Sequence, residues 1–104
     1  MNAWEPASGD WWGGRPIARR IADADPQRRV VVTGTIVDTE VGLWRRMPAY
    51  ICRLDDETGC ITILFGGRRP VPGMVKGAQC TVEGTAISNG RVLFLWNPHY
   101  RFEL

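Results

Sequence analysis

The sequence predicts an all-β fold, a five-stranded Greek-key barrel preceded by a short N-terminal helix. Three observations predict it. From Arg29 onward the chain is rich in β-branched and aromatic residues, and these runs are punctuated by Gly, Pro and Asn-Gly turn signals. Two of the runs pair into hairpins whose apolar residues fall on a common face. At 104 residues the chain has room for one domain with a core of its own.

The elements follow in order. Residues 1–13 read as a loop carrying three of the five tryptophans, Trp4, Trp11 and Trp12. Rings of that size rarely stand in water, so they are expected to pack on the domain or on a partner. Residues 15–24 read as a short helix, with Pro16 in its first turn and Ile17/Ile21 and Ala18/Ala22 at i, i+4. Residues 1–28 are thus an N-terminal extension, and residues 29–104 the barrel domain.

The first barrel strand, RRVVVTGTIVDTEV, is interrupted by Gly34, which predicts a bend or bulge. A loop GLWRRMP leads to AYICRLD, and the turn DETG leads to CITILF. In that hairpin Leu54 is placed opposite Ile61, Cys52 opposite Ile63 and Tyr50 opposite Phe65, giving a wholly apolar or aromatic core face. The opposite face carries Arg53 with Thr62 and Ile51 with Leu64. The connector GGRRPVPGMVKG holds too many Gly and Pro for a helix. A second hairpin, QCTVEGTAIS and RVLFLW, turns at Asn89-Gly90, with Ala86 placed opposite Leu93 and Gly84 opposite Leu95. The tail NPHYRFEL is expected to be pinned to the barrel by Tyr100 and Phe102. This strand order is that of an OB-fold, with an SH3-like barrel as the structural alternative.

Composition narrows the function classes. The chain has one histidine, His99, and three cysteines, Cys52, Cys60 and Cys80, without C-x-x-C spacing. Neither a P-loop nor a G-x-G-x-x-G motif is present. The Asp55-Asp56-Glu57 cluster reads as turn chemistry. No catalysis, cofactor or metal is therefore expected. Cys52 and Cys80 read as small core residues and Cys60 as an exposed thiol. No apolar run approaches the length of a membrane span, and the first residues lack the pattern of a signal peptide, so a cytoplasmic location is expected. The net charge is +2, and twelve of the thirteen basic residues are arginine. Arginine's planar fork suits phosphates and flat rings.

Leu54-Asp55-Asp56-Glu57-Thr58-Gly59-Cys60-Ile61 resembles the L-x-D-x-T-G-x-I hairpin of nucleic-acid-binding OB-folds, such as the anticodon-binding domains of class II tRNA synthetases. From Val30 onward the chain is similar to small stand-alone actinobacterial OB-fold proteins. Those share an L-D-D-x-T-G turn, a G-R-R-x-x-P-G connector and a terminal N-P-x-Y, met here by Gly67–Gly73 and Asn97–Tyr100. The ending also resembles that of the RecG wedge domain. The resemblance covers about 75 residues and implies an OB barrel that binds nucleic acid, single-stranded or forked DNA or RNA. On such a barrel the interface falls on the outward face of the second and third strands and the loops framing it.

The candidate residues are Arg53, Thr62 and Leu64 on that face. Trp44, Arg45 and Arg46 lie in the first framing loop, Asn89 and Arg91 in the second, and Arg68 and Arg69 in the connector. Arginines neutralise phosphates, and a ring such as Trp44 stacks a base for roughly 1–3 kcal/mol. Trp44 is equally readable as a lid on the barrel, and Phe94 and Trp96 read as core or interface. The competing function is a protein-interaction module on the same scaffold, oligomeric or part of a larger complex, with the Trp-rich N-terminus as its contact.

Overall fold

A computed structural model describes residues 4–67 and 69–103. Nine strands are present among them. β1 (Trp11–Trp12) and β2 (Arg15–Pro16) form a small ribbon, followed by a 3-10 turn at Ile21–Asp23. The main sheet is built from β3 (Arg29–Trp44), β4 (Met47–Asp55), β5 (Cys60–Gly66), β6 (Gln79–Thr85), β7 (Ile87–Ser88), β8 (Leu93–Trp96) and β9 (His99–Phe102). Its order is β7-β8-β5-β4-β3-β6-β9, with β5 and β8 parallel and every other pair antiparallel. This curled sheet is the OB arrangement. It has seven strands rather than the five expected, because the second hairpin contributes the separate β7 and the tail pairs along β6 as β9.

β3 makes the curl. Its first half pairs with β6 and its second half with β4, on opposite edges of the same strand. Gly34 sits where the two ladders meet. A Cβ there would collide with the Asp55 carbonyl oxygen and stand 2.9 Å from its carbon. The ladder with β4 also slips between Ile36 and Asp38, so the bulge lies just beyond the predicted glycine.

The first hairpin has the expected register, Leu54↔Ile61, Cys52↔Ile63 and Tyr50↔Phe65, and its core face is buried. Met74 from the connector is fully buried in the same core, where the Tyr50 hydroxyl donates to its carbonyl at 2.6 Å. Cys52 and Cys80 are core residues, and burial pushes their thiols up to about 12 and about 11. Cys60 is exposed.

The second hairpin pairs Ile87↔Phe94 and Ser88↔Leu93, two residues away from the expected register. The cause is a longer turn: the Asn89 carboxamide accepts the N–H groups of both Arg91 and Val92. A slip of two preserves the faces, so Val82, Ala86 and Leu95 still enter the core.

The helix expected at 15–24 is absent. The Ala18 N–H donates to Arg29 and its carbonyl accepts from Val31, a parallel bridge onto the start of β3, while the Ile17 N–H donates to Asp10. A ten-residue helix has a costly nucleus, whereas the sheet edge satisfies these groups at once. Ile17, Ala18 and Ile21 are buried as expected, but Ala22 of the supposed stripe is exposed. No α-helix occurs among the described residues, and none is long and apolar enough to cross a membrane.

The start of the extension meets β6 and β9. The buried Glu83 carboxylate receives the Ala7 N–H at 2.9 Å and the Arg29 guanidinium at 3.0 Å. Trp4 stacks on His99 with ring centroids 5.7 Å apart. Trp11 is 66% exposed; Trp12 is 55% exposed, but its ring meets the Arg29 guanidinium at the start of β3, 4.9 Å from the ring centroid.

Asp56 ties the extension to the barrel. Its carboxylate accepts the N–H groups of Ile21, Thr58 and Gly59 and the Thr58 hydroxyl, at 2.6–3.2 Å. Partial burial works against its charge, but these hydrogen bonds outweigh it and hold the carboxyl below its ordinary value. Its stabilisation is therefore present above the unfolded pKa of about 3.9 and is lost as pH falls through the lower folded value.

Two outcomes follow. Gly34→Ala destabilises the barrel by about 1–3 kcal/mol, read as a lower thermal midpoint. Asp56→Asn costs about 1–2 kcal/mol at neutral pH. The gap from the parent protein closes as acid protonates Asp56, and a gap that stays constant to low pH would refute the assignment.

Candidate nucleic-acid interface

Strand alternation fixes which side chains leave the core. With Tyr50, Cys52 and Leu54 inward, the outer face of β3, β4, β5 and β8 carries two rows in register: Asp38, Arg53, Thr62 and Phe94, then Glu40, Ile51, Leu64 and Trp96. The β3–β4 turn ends this face on one side and the β7–β8 turn on the other.

Arg53 is exposed in mid-sheet and, among the described residues, has no hydrogen bond or ion pair from its side chain. Both neighbouring carboxylates are engaged elsewhere. Asp55 accepts the Glu57 N–H and Asp38 accepts that of Thr39. Arg53, Thr62 and Arg91 line one open groove of about 460 Å³, together with Ile21, Cys60 and Val92. Three of the predicted residues, from β4, β5 and the β7–β8 turn, are thus brought together.

Beyond Phe94 lies a second, apolar depression of about 160 Å³, lined by Trp44, Arg45, Met47, Phe94 and Trp96. Trp44 is half-buried and meets the Phe94 ring edge-on at 5.3 Å. Its indole nitrogen is buried without a hydrogen-bond partner among the described residues. Trp44 is therefore neither free in solvent nor a lid on the barrel end; it lies on the outer face. Leu64, predicted on the same face, is fully buried and offers no contact surface.

The remaining candidates are dispersed. Asn89 is exposed, but its carboxamide is committed to its own turn. Arg69 is exposed and lines neither groove. Arg68 lies outside the described residues. Trp96 and Cys60 join the site without having been singled out for it, and Phe94, itself buried, floors the apolar depression. Their signal was present in the alternation of β8, where Phe94 and Trp96 take the face opposite Leu93 and Leu95.

Arg45 and Arg46 form the two-residue turn between Trp44 and Met47, with φ of 51° and 68°. Such a turn favours Asn-Gly, because two left-handed residues cost side chains with a Cβ. Two arginines here are a local stability cost that folding does not require. Arg45→Asn with Arg46→Gly is expected to raise stability by about 1 kcal/mol in a denaturant titration; an unchanged or lower midpoint would mean that the arginine side chains support the fold.

The sequence matches no protein-family model and no curated protein. Similarity appears among solved structures. A chain of the crystal structure of yeast Stn1 and Ten1 superposes with a TM-score of 0.58 at 15% identity, over 73% of this chain and 43% of that one. A chain of the S. pombe Stn1-Ten1 complex gives 0.60 at 17% identity, over 89% and 63%. The likeness is one of fold. This chain spans less than two thirds of the length of either of these two chains.

Proposed function

We propose that this protein binds single-stranded or structured nucleic acid without catalysis and with little sequence preference. The observation that carries the reading is the unpaired Arg53, grouped with Arg91 and Thr62 in one groove and followed on the same face by the Trp44–Trp96 depression. Cations beside a flat aromatic surface are what a flexible strand needs, phosphates on the former and bases on the latter. OB barrels use this face and these two loops for oligonucleotides. The two arginines kept in a costly turn support the same reading, since strained positions gather where ligands are held. Residues 29–104 act as the binding domain, the part over which the chain resembles the stand-alone actinobacterial proteins, and residues 1–28 as its extension.

A protein-interaction role is favoured by a different observation, the exposed Trp11 and Trp12 on their ribbon. One experiment separates the two. Labelled single strands of DNA and RNA, duplex and forked DNA are titrated at low and moderate salt by fluorescence anisotropy. Salt-sensitive binding to single strands is expected. Arg53→Ala with Arg91→Ala then lowers the slope of log K against log salt by about 1.4, two single-strand phosphate contacts. No binding to any ligand at low salt moves the function to protein recognition.

A further inference from the structure

We infer that two copies of this chain associate through the free edge of β3, pairing antiparallel about Val41 so that one sheet runs through both. Beyond the bulge, β3 is bonded to β4 on one edge only. Its other edge is occupied by β6 as far as Thr35, and the last contacts there are made by Ile36 with Gly77 and Ala78. From Asp38 to Trp44 no backbone partner lies along that edge among the described residues.

The direction of the open groups can be read from one hydrogen bond. The Thr39 N–H is met at 3.0 Å by the carboxylate of its neighbour Asp38 rather than by β4, so it points to the free edge. Alternation then points the backbone groups of Val41 and Leu43 the same way. An open edge of this length is normally blunted by Pro, charged side chains or a further bulge, and here only Asp38 and Glu40 are charged. The stretch from Asp38 to Trp44 has no Pro or Lys, its ladder with β4 is regular, and Val41 and Leu43 are 50% and 67% exposed.

The edge is self-complementary in one orientation. With Val41 facing Val41 of the second copy, Thr39 faces Leu43 in both directions; the Val41 pair exchanges two N–H···O bonds, and the Thr39–Leu43 pairs do so once the Asp38 carboxylate releases the Thr39 N–H. The apolar side chains of Val41 and Leu43 then share one face of the joined ribbon. The acidic half of one strand, Asp38 and Glu40, runs beside the other copy's Trp44-Arg45-Arg46 turn. A parallel pairing would instead set acid beside acid and arginine beside arginine. Charge therefore selects the antiparallel partner, a second copy of this chain.

The test is the oligomeric state over a concentration series by sedimentation velocity. A concentration-dependent dimer is expected. Val41→Pro removes only an outward N–H and is expected to raise the dissociation constant at least about tenfold; its fold is checked by circular dichroism. Should that variant misfold, reversal of Asp38 and Glu40 to Arg weakens the dimer in its place, and adding Arg45→Glu and Arg46→Glu restores it. Val41→Cys in a Cys60→Ser background is expected to cross-link on oxidation, since facing Cα atoms of a hydrogen-bonded pair lie about 5.5 Å apart, within disulfide reach. A monomer throughout the series overturns the inference. So does a dimer that tolerates the charge reversal and leaves the thiol introduced by Val41→Cys unlinked. Neither result depends on whether the protein binds nucleic acid.

Discussion

The bend of β3 at Gly34 is the constraint on which the rest of the structure depends. A strand of sixteen residues cannot pair with β6 on one edge and β4 on the other unless it turns between them. The close approach of the Asp55 backbone at the bend leaves no space for a Cβ. Once the strand turns, the sheet curls, β8 comes to lie parallel to β5, and the outer face acquires its fourth strand. Phe94 and Trp96 reach that face only through this contact. The same bend carries the β3–β4 ribbon past the region covered by β6, which leaves the edge beyond Asp38 open.

A second organising centre is the Asp56 carboxylate. It arranges its own turn and also captures the Ile21 N–H, thirty-five residues away in sequence. This contact sets Ile21 beside Gly59, where it becomes a wall of the groove that holds Arg53. The turn that carried the sequence resemblance is thus also the point where the extension joins the barrel. A carboxylate with several donors fixes position better than apolar contact alone, because hydrogen bonds are directional.

The parts of the fold legible in the sequence were those governed by local chemistry. The Asp-Glu-Thr-Gly turn fixed the register of β4 on β5, and alternation then placed Arg53 and Thr62 outside and Cys52 inside. Competition between local and long-range partners was not legible. Residues 15–24 have a helical spacing, yet Ala18 finds both its backbone partners on β3. The Asn89-Gly90 signal promised a two-residue turn, but the Asn89 side chain extends it. Leu64 alternates outward as expected and is buried all the same, because alternation reports the face of a side chain and not what covers it. The strained φ of Arg45 and Arg46 also lay beyond reach, since nothing in an Arg-Arg pair signals a left-handed turn.

Charge is divided unevenly across the outer face, and the division links the two proposed roles. Arg53 and Arg91 stand on the side of β4, β5 and β8, while Asp38 and Glu40 stand on β3. A polyanion laid on this face is drawn to the first side and repelled from the second, so its path runs over β5 and β8 toward Trp96. The acidic row is then of no use to the strand it excludes. It lies instead next to the open edge, where an antiparallel copy brings an arginine turn against it. One arrangement of charge keeps the ligand off the seam and holds the seam together.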